Sequence, residues 1–217
     1  MKMKKILLMI AICISMMFVG CNGCTKGQED QVTVDTVECV DTVDTFETAE
    51  LNVEHLISMD RQTMYNKYND GEYVWYETEV KFNQFLDEDC DGSIEEVVNV
   101  FQRMVNGNPQ VYKIQHFADG TVCEDSVIGF WIEDYSLNND EFKLTFKEAF
   151  DKMMATNYPK PHSQYACVRN PIGPKGINAQ YIFGNIHSTL FVDAVTGDVK
   201  DSNPAFEGLA KPLGEWP

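Results

Sequence analysis

From residue 51 onward the apolar positions switch between a helical and a strand period. Leu56, Met59 or Asp60, Met64 and Tyr68 recur at helical intervals until Asn69-Asp70-Gly71 breaks the pattern, which predicts a first helix. Residues 73–85 alternate instead. Val74, Tyr76, Thr78, Val80 and Phe82 fall on one side and Glu77, Glu79 and Lys81 on the other, predicting a strand with one wet face. Ser93 and Glu96 have the spacing of a capping box. Behind them Ile94, Val97, Val98, Phe101 and Met104 or Val105 make an apolar stripe, predicting a helix that Asn106-Gly107-Asn108-Pro109 stops. Residues 111–117 and 121–135 flank Ala118-Asp119-Gly120 as a hairpin. A second capping box, Thr145 with Glu148, opens a helix over 146–155 with Phe146, Ala149, Phe150 and Met153 on one face. Strands at 164–169, 180–183 and 189–192 follow, with a Pro/Gly-rich loop at 170–178. The order strand, helix, strand, strand thus occurs twice. It predicts an α+β fold: one or more antiparallel sheets with helices packed on one face, over residues 51–217, as one domain or as two similar halves near 51–135 and 136–217.

Residues 25–50 break this pattern. Thr, Asp, Val and Glu repeat there, as in Val34-Asp35-Thr36-Val37 and Val40-Asp41-Thr42-Val43, with few large side chains to bury. Such a stretch gains too little to offset its ordering entropy, so residues 21–50 are expected to be a disordered acidic tether. The repeated Asp-Thr-Val also resembles the short acceptor of bacterial O-glycosylation, beside the plainer reading of an acidic linker.

The beginning of the chain supplies an address. Lys2, Lys4 and Lys5 precede an almost unbroken apolar run over residues 6–19, which is shorter than the roughly 20 residues a bilayer span needs. Residues 1–20 therefore read as a signal peptide. Phe18-Val19-Gly20-Cys21 resembles the lipobox of bacterial lipoproteins, with Phe where Leu is usual. That resemblance implies cleavage before Cys21, lipidation of Cys21 and a membrane-anchored protein of the cell envelope, with the outer membrane as the expected site.

Removing residues 1–20 takes away three lysines and no acid, so the net charge deepens from −17 to −20. That surface repels phosphate backbones and argues against nucleic acid as a partner. In an exported protein disulfides persist, and Cys24, Cys39, Cys90, Cys123 and Cys167 remain without a framework spacing; they read as free or opportunistically paired, with one bridge among Cys90, Cys123 and Cys167 as the other arrangement.

The segment 144–201 carries a capped helix, three short strands and Val192-Asp193-Ala194-Val195-Thr196-Gly197-Asp198-Val199. It resembles a PepSY-type domain, a family of exported bacterial modules with a similar closing turn, several of them associated with protease propeptides or inhibition. The resemblance implies the fold of about a quarter of the chain.

The sharpest chemical pattern is Asp87-Glu88-Asp89-Cys90-Asp91-Gly92. Asp87, Asp89 and Asp91 alternate before a glycine, with Glu95 following, as a calcium loop requires; yet Val98 stands where an EF-hand has its last carboxylate, and the incoming element reads as a strand. Calcium bound by a looser loop and a plain acidic turn are the two readings. No nucleophile elbow, zinc helix or phosphate loop occurs, and His55, His116, His162 and His187 stand singly. Trp75, Tyr76, Phe130, Trp131 and Tyr135 read as core first and as a ligand surface second. The pattern favours a lipid-anchored envelope protein with a non-enzymatic binding role toward a protein, peptide or ligand. The alternative is an envelope hydrolase acting on glycans or peptides through acidic residues.

Overall fold

The protein is described by a computed structural model covering residues 38–40, 50–68, 73–131, 135–173 and 176–208. The strands are β1 (Glu38–Val40), β2 (Tyr73–Phe82), β3 (Ile94–Val105), β4 (Asn108–Phe117), β5 (Val122–Ile128), β6 (Tyr165–Arg169), β7 (Gln180–Asn185), β8 (Ser188–Asp193) and β9 (Val199–Lys200). They form one antiparallel sheet in the order β1-β5-β4-β3-β2-β6-β7-β8-β9. Helix α1 (Val53–Tyr68) precedes the β2 to β5 meander, and α2 (Phe146–Met154) precedes the β6 to β9 meander. The two halves meet at the β2 and β6 strands and run outward in opposite directions. The fold is α+β, but the repeating order is a helix followed by a meander, which corrects the expected strand, helix, strand, strand.

The difference lies in β3 (Ile94–Val105), the longest strand among the described residues, where a helix was expected. Val97, Val98, Asn99, Val100 and Phe101 are all buried, because β3 lies between β2 and β4 and both of its faces are covered. A strand buried on both faces reads as a continuous apolar run, which periodicity alone confuses with a helix. The arbiters are the β-branched valines and Asn106-Gly107, whose positive φ values of 51° and 80° make the two-residue turn into β4. Ser93 caps nothing; its N–H donates to Asp91 Oδ1 at 2.8 Å.

Both helices pack on the same side of the sheet. From α1 come Val53, Leu56, Ile57 and Met64; from α2, Phe146, Ala149, Phe150 and Met153. Phe82, Phe146, Phe150, Tyr181 and Phe183 form an aromatic cluster between α2 and the β2, β6 and β7 strands, with centroids 5.5 to 6.5 Å apart. Thr145 and Glu148 form the expected capping box at the start of α2. In α1 the stripe uses Asp60, which is 1% exposed, and leaves Met59 outside. The Asp60 carboxylate accepts from His116 Nε2 at 2.9 and 3.0 Å and from Asn99 Nδ2 at 2.6 Å; Asn99 Oδ1 then accepts from Thr78, and Thr78 from Trp75 Nε1. Every member of the chain is buried, so the network fixes where α1 sits across β2, β3 and β4.

Candidate functional site: the helix-free face

Among the described residues no helix covers the other side of the sheet. A β-bulge at Tyr76 decides what lies there, since the register shifts between Trp75 and Glu77. Trp75 then joins the helix-side core in place of Tyr76. Glu77 and Glu79 lie on the opposite side, yet Glu77 is only 5% exposed, so the expected wet face is partly buried. Register places Asp125, Lys113, Val100, Glu77, Arg169 and Gln180 in one row across β5, β4, β3, β2, β6 and β7. Opposite charges thus sit near one another around a strip formed by Val98, Val100 and Val111.

Trp131 closes over this strip. Its backbone N–H donates to Gln102 Oε1 at 2.7 Å, its Nε1 donates to Glu77 Oε2 at 3.0 Å, and Lys113 Nζ lies 4.9 Å from its ring centroid. An anchored indole under a lysine gains about 0.5 to 2 kcal/mol from the cation–π contact alone. Arg169 pairs with Glu77 at 3.9 Å. Burial raises the Glu79 carboxyl above its ordinary range, with Lys113 and Arg169 opposing and Glu77 adding to the rise. Burial, reinforced by Glu77, also pushes the Cys167 thiol well up. A thiol held protonated is a poor nucleophile.

Beside Trp131 the face turns apolar and exposed. Val74, Gln102, Val111 and Val127 form the next row, and Val74, Met104, Val127 and Phe130 are 38%, 45%, 57% and 73% exposed. Exposed Asp125 borders them. Trp131 and Phe130 were visible in the sequence as aromatics, but the Gln102 and Glu77 contacts that hold Trp131 depend on pairing across three strands.

The acidic loop gives a different result. Asp87 Oδ1 accepts from the Asp89 N–H at 3.1 Å, Asp91 Oδ1 from the Ser93 N–H, and Glu95 pairs with Lys81 at 2.9 Å on the adjacent strand. Asp87 and Asp91 each accept a backbone N–H within the loop, and among the described residues no group of three or more His, Cys, Asp or Glu side chains gathers to hold a metal ion. Cys90 and Cys167 are free thiols, whereas Cys123 is disulfide-bonded, so no bridge joins any two of these three. Two surface clefts contain one carboxylate each: Glu141 beside Tyr135, Asn170 and Ile177, and Glu54 beside Ile57, Leu144 and Tyr181. Neither offers a convergent acid pair. Cys21 lies outside the described residues, and among the described ones no helix is long and apolar enough to cross a membrane. No family model, curated protein or solved structure matches the chain.

Proposed function

We propose that this is a lipid-anchored envelope protein that binds an extended polypeptide segment on the helix-free face of its sheet. The observation that carries the reading is the exposed apolar ground around Trp131: Val74, Met104 and Val127 are presented on strands, and Phe130 follows β5 directly before Trp131. The chain's charge of −17 favours a cationic partner, apolar where it meets Phe130 and positive where it meets Asp125. The membrane is the second partner, through Cys21, and the likeness of residues 144–201 to PepSY-type domains is consistent with an exported module that recognises protein. Hydrolysis is less well supported, because neither cleft pairs two acids.

Charge placed in the apolar ground tests the binding reading. Val127→Asp and Phe130→Asp, at positions that are more than half exposed, should each abolish retention of the partner from detergent-solubilised envelope without lowering the melting temperature. Undiminished retention in both variants would contradict it. For the anchor, Cys21→Ser should abolish acyl labelling and Cys24→Ser should leave it intact; labelling that persists in Cys21→Ser refutes the assignment.

A further inference from the structure

Cys123 lies on β5, whose outer edge is met by β1. The register of that pair is Glu38 with Glu124, Cys39 with Cys123 and Val40 with Val122. Cys123 is disulfide-bonded, while Cys90 and Cys167 are free, so its partner comes from Cys13, Cys21, Cys24 or Cys39. Residues directly opposite in an antiparallel pair have Cα atoms about 4.5 or 5.5 Å apart, and a disulfide needs about 4.4 to 6.8 Å. We propose that Cys39 is the partner of Cys123, and that this bridge is a staple fastening the acidic N-terminal segment to the edge of the sheet.

The chemistry balances with a thiol–disulfide oxidoreductase. The two cysteines give up two protons and two electrons to its disulfide, which becomes a dithiol; a dithiol donor reverses the exchange. The staple does two things. It keeps β1 on Val122, Cys123 and Glu124, an edge that three residues would hold weakly by hydrogen bonds alone. It also shortens the reach of the domain. If Cys21 is anchored as proposed above, the chain from Cys21 to Cys39 extends at most about 60 Å, whereas the chain from Cys21 to Leu51 extends about 100 Å. Reduction would let the domain stand farther from the membrane.

The test uses the full-length protein purified from envelope without reductant, alkylated in denaturant and mapped by mass spectrometry. A peptide pair linking Cys39 to Cys123 is expected. Linkage of Cys123 to Cys24 instead, or an alkylated Cys39 in the unreduced protein, overturns the proposal. Amide exchange then reads the staple: reduction with a phosphine, or Cys39→Ser, should speed exchange at residues 122–124 about tenfold and leave β3 unchanged. Unchanged exchange at 122–124 would show that the bridge holds nothing. The linkage is independent of acyl labelling at Cys21, so the failure of either reading leaves the other standing.

Discussion

At the scale of single residues, the fold depends on polar groups that look out of place in the sequence. Asp60 occupies an apolar stripe, and His116 and Asn99 sit on strands at buried positions. Each makes sense only through the others, because burying one such group unpaired is costly. Asp60→Ala should therefore cost about 3 to 5 kcal/mol, leaving His116 Nε2 and Asn99 Nδ2 without their acceptor. A lower urea midpoint with an unchanged slope is the expected reading; a loss below about 1 kcal/mol would mean that α1 is held by its apolar side chains alone. Gly184 is tight in another way. It has φ +120°, and a Cβ there would lie 2.1 Å from the Ser188 carbonyl oxygen and 2.9 Å from Pro161 Cβ, so Gly184→Ala should disrupt the β7–β8 hairpin. Near-wild-type thermal stability in that variant would contradict this account.

At the scale of elements, local signals were legible wherever a motif satisfies its own hydrogen bonds. The Thr145 and Glu148 box and the Asp119-Gly120 turn needed nothing from the rest of the chain. β3 failed that test because two-sided burial is a tertiary fact, and Ser93-Ile94-Glu95-Glu96 imitates a helix start. The bulge at Tyr76 was hidden for the same reason: it exchanges Tyr76 for Trp75 in the core without a mark in the alternation. The turn after β8 carries a pH dependence. Burial acts against the charged form of Asp193, but the N–H groups of Thr196 and Val195 and the side chains of Asn178 and Gln180 outweigh it and hold the carboxyl below its ordinary range. A lowered folded value means that this stability is present above the ordinary carboxylate range and is lost as pH falls through the lowered one. Asp193→Asn keeps an acceptor but not the charge. The melting-temperature advantage of wild type over Asp193→Asn should be present near pH 7 and be lost as the pH falls through the lowered range of this carboxyl; an advantage that persists once the carboxyl is protonated would contradict the electrostatic origin.

At the scale of the whole molecule, the sheet has two unlike sides. One is sealed by α1 and α2 over an aromatic core, and among the described residues the other carries only an anchored tryptophan over a valine strip, with charged rows and exposed apolar positions beside it. The expectation that helices gather on one face holds for α1 and α2, although the third stripe expected as a helix became β3. The sequence could not show which residues would be left on the opposite face, since that follows from strand order and from β2 meeting β6. The acidic segment reads differently at this scale as well: three of its residues pair with β5, and residues 21–37 and 41–49 lie outside the described residues. The central claim, that the helix-free face is the binding surface, is tested most directly by photo-crosslinking in the intact envelope, with a photoreactive residue placed at Phe130, Val127 or, as a control on exposed α1, Tyr65. The account predicts one protein adduct from positions 130 and 127 and none from position 65; adducts from position 65 alone, or from none of the three, would contradict it.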